Sequence, residues 1–326
     1  MTTPIRWGIL GTGGIAHKFA TGLSIIPDAQ LVAVGSRTQA AADAFAGTYN
    51  IPTRHPTYEA LAHDPQVDAI YIATPHPSHK PNTILCLEAG KAVLCEKPFT
   101  INAAEAEGVI ALARQKKIFL MEAMWSRYLP AIIRARELVA QGVIGEVRML
   151  TADFGFRTSV NAEGRLFNPA YGGGALLDVG IYPLSLASAL FGQPKHIHTA
   201  ADIGSTGVDE QAAIILHYDS GQLALLSTAI RTNTLHEAVI FGTKGHIRIP
   251  DWWHANGFTL ALDGQAPQVF DVPHDGNGYS HEAQEVMRCL RAGLLESDIM
   301  PLDETLALMR TMDTIRAQWG LRYPME

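Results

Sequence analysis

The sequence predicts an α/β fold in two parts. Residues 1–122 form a doubly wound parallel sheet, and residues 123–326 an α/β domain with a mostly antiparallel, open sheet. Three observations carry this. Up to about residue 121, apolar segments of strand length alternate with helical patterns, as in parallel sheets. A glycine cluster, Gly11-Thr12-Gly13-Gly14, separates the first strand from the first helix. From about residue 195, strands follow one another without intervening helices, which marks an antiparallel sheet.

The first strand, residues 5–10, runs into the glycines, and Ile15, Ala16, Phe19, Ala20 and Leu23 then recur at helical spacing. Gly11, Gly13 and Ala16 occupy the G-x-G-x-x-A positions of the Rossmann dinucleotide fingerprint. Gly11 allows the tight turn, Gly13 lets backbone approach a pyrophosphate, and Ala16 brings the helix close to the strand. The helix N-terminus offers free N–H groups and partial positive charge to the phosphates.

Residues 30–35 read as the second strand and residues 40–46 as a short helix. At the end of the second strand an acidic residue would bond a ribose 2′-OH. Ser36-Arg37-Thr38 stands there instead, and hydroxyls with a guanidinium suit a 2′-phosphate. The expected cofactor is NADP(H). Residues 69–73 form the next strand, ending at Thr74-Pro75. Residues 80–89 form a helix stopped by Gly90, and residues 92–95 a strand ending at Glu96-Lys97-Pro98. Asn102 caps the following helix, with Glu105 at the capping-box position. Residues 118–121 close the series. The glycine cluster, Thr74–Pro75 and Glu96–Pro98 thus lie at carboxyl ends of parallel strands, where ligands bind.

Beyond residue 122, residues 129–140 read as a helix, 146–156 as a strand and 157–171 as a long loop. Gly172-Gly173-Gly174 precedes a helix over residues 175–190. Strands are expected at about 195–203, 208–218, 222–230, 236–241 and 245–249, with a hairpin turn at Asp219-Ser220-Gly221. Residues 212–218 and 223–230 are apolar on both faces, so one face calls for a second cover, and a homodimer or higher homo-oligomer is expected. Residues 280–295 and 303–319 are closing helices, the latter expected to pack back on the first domain.

Composition bounds the function. At 326 residues, 47% hydrophobic and 17% charged, the chain is long enough for two globular domains. A net charge of −7 and a pI near 6.0, with no basic run, argue against nucleic acid and membrane surfaces as partners. No apolar run of about 18 residues is apparent, and no membrane span is expected. Cys86, Cys95 and Cys289 lack metal-ligand spacing and read as buried thiols of a cytoplasmic protein, with no metal.

Asp178 and Tyr182 lie four apart on the helix after the triple glycine, and Ser185 continues that face. A tyrosine moves a proton in carbonyl reduction or alcohol oxidation, provided its pKa of about 10 is lowered. A lysine ammonium does this, and Lys97 is the lysine on the cofactor crevice. Trp125, Phe154, Phe156 and Phe167 are candidates to wall a substrate pocket, with Arg157 or Arg165 as a polar contact.

Gly11-Thr12-Gly13-Gly14-Ile15-Ala16, Thr74-Pro75 with His79, Glu96-Lys97-Pro98 and the 173–180 segment GGALLDVG together resemble the Gfo/Idh/MocA oxidoreductase family. The resemblance spans the chain. It implies a Rossmann domain, a C-terminal α/β domain whose open sheet often serves oligomerisation, and a catalytic Lys97 close to the nicotinamide. Many members carry histidine where this chain has Tyr182, in an Asp-x-Gly-x-His-x-x-Asp pattern. Here residues 178–185 read DVGIYPLS. The chain is similar instead to the branch with a tyrosine acid/base, which includes dimeric dihydrodiol dehydrogenase and NADP-dependent D-xylose dehydrogenase. The segment 119–128 resembles the same branch, and there the Trp-x-Arg residues, Trp125 and Arg127 here, lie near cofactor and substrate. The expected activity is NADP(H)-dependent hydride transfer to or from a sugar such as D-xylose, or a trans-dihydrodiol. The alternatives are another sugar or inositol dehydrogenase and a catalytically silent NADP(H)-binding regulator.

Overall fold

The computed structural model describes residues 3–326, which divide into two compact units. The first holds the chain up to Trp125. Its elements are β1 (Ile5–Leu10), α1 (Gly14–Leu23), β2 (Ala29–Gly35), α2 (Gln39–Tyr49), β3 (Thr53–His55), α3 (Tyr58–Ala62), β4 (Ala69–Ile72), α4 (His79–Glu88), β5 (Ala92–Glu96), α5 (Ala103–Lys116) and β6 (Leu120–Ala123). The strands pair in the order β3-β2-β1-β4-β5-β6, all parallel. The order reverses beside β1, and the carboxyl ends of β1 and β4 flank that switch point. Strands β4 and β5 are buried along their whole length, as helices on both faces require. The Asn102 side chain caps α5, accepting the Glu105 amide at 2.9 Å. Glu105 reaches back one residue further than a capping box does, to the Ile101 amide.

The second unit begins at Ser126. It contains α6 (Pro130–Ala140), β7 (Val147–Gly155), α7 (Ile181–Phe191), β8 (His196–Ile203), β9 (Asp209–His217), β10 (Leu223–Ala229), β11 (Ala238–Gly242), β12 (Gly245–Ile249), β13 (Gly257–Leu262) and β14 (Gln268–Asp271). They form one eight-stranded sheet, β14-β13-β12-β11-β7-β10-β9-β8, in which only the β7–β10 pairing is parallel. Helix α7 packs on β7 and β10. On β9 and β10 the inner face is buried (Ala212, Ile214, Leu216, Ala224, Leu226), while Ile215 and Leu225 on the other face remain 44% and 39% exposed.

Three expectations need correction. The single boundary at 122/123 is replaced by a division in which residues 275–306 belong to the first unit. Helix α8 (Tyr279–Arg291) lies there against α1, which presents Gly22 at the contact. A Cβ at Gly22 would stand 2.9 Å from Tyr279 Cβ, and Asn277 donates to Lys18 O at 2.8 Å. Helix α9 (Leu302–Trp319) starts in the first unit and continues in the second from Ala307. Secondly, the segment Pro169–Phe191 is long and apolar enough to span a membrane, although 78% of its most apolar window is buried within the protein, as in a core helix. Thirdly, the helix expected from residue 175 opens with a π-helical turn, Leu176–Gly180, before α7. Strands β3, β13 and β14 are additions to the sequence reading.

Candidate active site

The glycine cluster forms a cradle at the N-terminus of α1. Gly11 has φ +102°, and a Cβ there would stand 2.9 Å from Ala73 O, so the chain itself demands glycine at that turn. Gly13 and Gly14 differ. Both are exposed; among the described residues, chain neighbours and the helix's own backbone aside, a Cβ at Gly13 would come no nearer than 4.0 Å, to Ala73 O, and one at Gly14 would meet no atom within 4 Å. The first turn of α1 carries no acidic residue and no side-chain cap, so its amides are free for an anion. Ala16 is fully buried against the sheet. These features fit a dinucleotide pyrophosphate over Gly11, Thr12, Gly13, Gly14 and Ile15.

At the carboxyl end of β2, Ser36 and Thr12 share a hydroxyl–hydroxyl hydrogen bond of 3.2 Å. Arg37 is exposed and has no ion-pair partner among the described residues. Burial raises the Tyr58 phenol above its ordinary pKa, and the Arg37 guanidinium pulls the other way.

The loops after β4 and β5 are tied together by His79. It is fully buried, with Nε2 2.8 Å from Thr74 O and Nδ1 2.8 Å from Pro98 O. Burial lowers its pKa, and a neutral ring donates to one of these carbonyls only. His79 therefore fixes the two loops that carry Thr74, Pro75 and Lys97. Glu96 is also turned inward: it accepts from Tyr71 OH and from the Lys97 amide. Half-buried Lys97 follows at the loop. Glu122 of β6 braces the same loop through the Phe99 amide at 3.0 Å and Thr305 Oγ1 at 3.1 Å, a role no sequence motif announced. Trp125 is buried and stacks on Tyr279, with ring centroids 4.5 Å apart.

In the second unit, Asp178 and Tyr182 are both nearly buried, at 5% and 6% exposure, on the π-helical turn and on α7. Asp178 Oδ1 accepts from Arg165 Nη1 at 2.6 Å, which commits Arg165 to the carboxylate. Tyr182 meets Phe154 edge-on at 5.2 Å, and Phe154 in turn stacks on Trp253 at 4.8 Å and meets His236 at 5.0 Å. His236 Nε2 lies 2.7 Å from Gly155 O, so its Nδ1 accepts from Trp253 Nε1. This wall of Phe154, His236 and Trp253 beside a phenol was half legible: the Trp252-Trp253 pair is a visible signal, but its placement beside Phe154 is not local. Phe167 is buried, Phe156 half-buried, and Arg157 exposed with its amide on Asn233 Oδ1. Arg127, expected at the cofactor, is buried and donates to Ser185 Oγ and Ser185 O at 2.8 and 2.7 Å, which anchors α7 one turn beyond Tyr182. Among the described residues there is no cluster suited to a metal, and all three cysteines are buried and free.

Comparison with known proteins agrees with this layout. The model of the oxidoreductase family with an NAD-binding Rossmann fold matches residues 5–124, and that of the GFO/IDH/MocA C-terminal domain residues 132–248. The mouse trans-1,2-dihydrobenzene-1,2-diol dehydrogenase is 41% identical, with 99% of each chain covered, and the human protein 37%, with the same coverage. Among solved structures, an aldose-aldose oxidoreductase from Caulobacter crescentus superposes with a TM-score of 0.89 at 27% identity, covering 97% of this chain and 98% of that one. Cradle, loops and sheet order together with these full-length matches place the chain in the Gfo/Idh/MocA oxidoreductase family.

Proposed function

We propose that this protein is an NADP(H)-dependent oxidoreductase that takes a hydride from a secondary alcohol or lactol of a sugar, or from a trans-dihydrodiol, or in reverse delivers it to the corresponding carbonyl. The observation that carries the reading is the full-length likeness to trans-1,2-dihydrobenzene-1,2-diol dehydrogenases at up to 41% identity. The aromatic wall beside Tyr182 supports it, because such a wall suits a ring bearing hydroxyls. A bound nicotinamide supplies the hydride acceptor. In the oxidative direction Tyr182 Oη takes the proton of the reacting hydroxyl. Lys97 is the proposed ammonium that favours the phenolate. Asp178, held by Arg165, keeps a fixed carboxylate on the turn before Tyr182.

Exposed Arg37 and the missing acid after β2 support NADP(H) over NAD(H). The half-apolar outer face of β9 and β10 supports a second copy of the chain as its cover; a monomer by light scattering at micromolar concentration would contradict that.

The test is absorbance at 340 nm with NADP+ or NAD+ against trans-dihydrodiols, aldoses and inositols. Turnover of a dihydrodiol or an aldose is expected, with the larger kcat/KM for NADP+. No turnover of any of these would contradict the reading, and a clear preference for NAD+ would contradict the role of Arg37.

A further inference from the structure

The turn that carries Asp178 has no cap from its own sequence neighbours. Ala175, which precedes it, makes no side-chain cap. A π-helical turn is intrinsically rare and needs something outside it to hold it. The support comes from 33 positions away. Asp209, the first residue of β9, is fully buried, and its Oδ2 accepts the Leu176 amide at 2.6 Å. Its Oδ1 lies where a side chain at position 174 would begin: a Cβ there would collide with it, and Gly174 has φ +117°. Oδ1 has no hydrogen-bond partner among the described residues.

The ionisable groups that face Asp209 are Arg316 and Tyr323. Arg316 is already engaged by Glu326 at 2.8 Å and by Asp313 at 2.7 Å. Tyr323 donates to Gly173 O at 2.8 Å, on the other side of the same glycine run. Burial pushes the Asp209 carboxyl up to about 7, with the Leu176 amide pulling it down. A buried carboxyl with one unsatisfied oxygen is expensive. What it achieves is a fixed acceptor at the start of the turn.

We propose that Asp209 is the positioning residue of the acid/base helix: by holding the Leu176 amide against Gly174 it sets the turn Leu176–Gly180, and with it Asp178 and Tyr182. The proposal rests on the reading of Tyr182 as acid/base. A misplacement of about 1 Å at a reacting group slows catalysis by about a hundredfold, so the loss of this anchor is visible in kcat.

The experiment compares Asp209→Ala, which removes the acceptor, with Asp209→Asn, which keeps an oxygen in place without charge. Three quantities are read on the full-length protein: hydrogen exchange of residues 174–182, the Kd for NADPH by fluorescence, and kcat with trans-1,2-dihydrobenzene-1,2-diol as probe. Asp209→Ala should speed exchange of those amides at least about tenfold and lower kcat about tenfold to a hundredfold, with the NADPH Kd within about twofold. Asp209→Asn should restore most of both. Unchanged exchange in Asp209→Ala, or equal losses in both variants, would overturn the proposal. If Asp209→Ala does not fold, wild-type-like exchange and kcat in Asp209→Asn support it, and a large loss there overturns it. Wild-type protein inert toward this probe and toward every aldose and inositol of the 340 nm panel would count against the acid/base reading, and the exchange data would still decide whether Asp209 holds the turn.

Discussion

The two glycine clusters, one in each unit, are alike in sequence and opposite in cause. At residues 11–14 Gly11 is demanded by its own turn, while among the described residues a Cβ at Gly13 would come no nearer than 4.0 Å to Ala73 O and one at Gly14 would meet no atom within 4 Å. At residues 172–174 the neighbours are all protein. A Cβ at Gly173 would stand 2.8 Å from Leu166 O, and one at Gly174 would collide with Asp209. The first cluster is kept bare for something that arrives, and the second for parts of the chain already there. Glycine by itself does not separate the two; what a Cβ would meet does.

Alanine substitution breaks this comparison most sharply at Gly174. It forces a side chain into φ +117° and against a buried carboxyl. Urea unfolding should show a loss of about 3 kcal/mol or more from strain and overpacking combined. Gly13→Ala should do the reverse. Unfolding stability should stay within about 0.5 kcal/mol, because the new Cβ would meet only Ala73 O, at an unstrained 4.0 Å. The NADPH Kd should rise about tenfold to a hundredfold, equivalent to about 1.4–2.8 kcal/mol. A destabilised Gly13→Ala with normal NADPH affinity would erase the distinction between the clusters.

A smaller effect sharpens the same contrast between groups that serve a ligand and groups held in the core. Glu282 on α8 is fully buried, neither carboxyl oxygen has a partner among the described residues, and burial followed by the charge of Glu96 raises its pKa well above the ordinary 4.5. Glu96 itself is engaged by Tyr71. The folded protein therefore holds the Glu282 proton more tightly than the unfolded chain does. The associated stability is fully present below pH 4.5 and is lost as pH rises through the raised folded value. Glu282→Gln cannot ionise, so its Tm should gain on wild type steadily as pH is raised from 4.5, with little difference below it. A gap independent of pH would show that Glu282 is not held protonated.

Most of the fold was legible because its signals are local. Alternating apolar segments, Gly90, the Asn102 cap and the Asp219-Ser220-Gly221 turn each act within a few residues. The phosphate cradle was legible for the same reason. What escaped is long-range. Strand β3 is three residues long and takes its structure from pairing with β2. Strands β13 and β14 flank a polar turn, with only Phe258 and Leu260 buried to mark a face. Helix α8 carries a strong apolar pattern, but its contact in the first unit is with Gly22, more than 250 residues earlier. At the site, Tyr182 and Asp178 stood out by spacing. Asp209, Glu122, His236 and Trp253 did not, because each acts on a residue distant in sequence. His79 and Arg127 were visible as motif residues, but their partners, the carbonyls of Thr74 and Pro98 and the Ser185 group, were not.

Turnover of Tyr182→Phe is the most direct measure of the proposed chemistry. The substitution removes one oxygen from a nearly buried ring that keeps its contact with Phe154. With NADP+ and the best substrate of the 340 nm panel, kcat should fall by about a hundredfold or more while the NADPH Kd stays within about twofold. Turnover equal to that of the wild type would contradict Tyr182 as the acid/base.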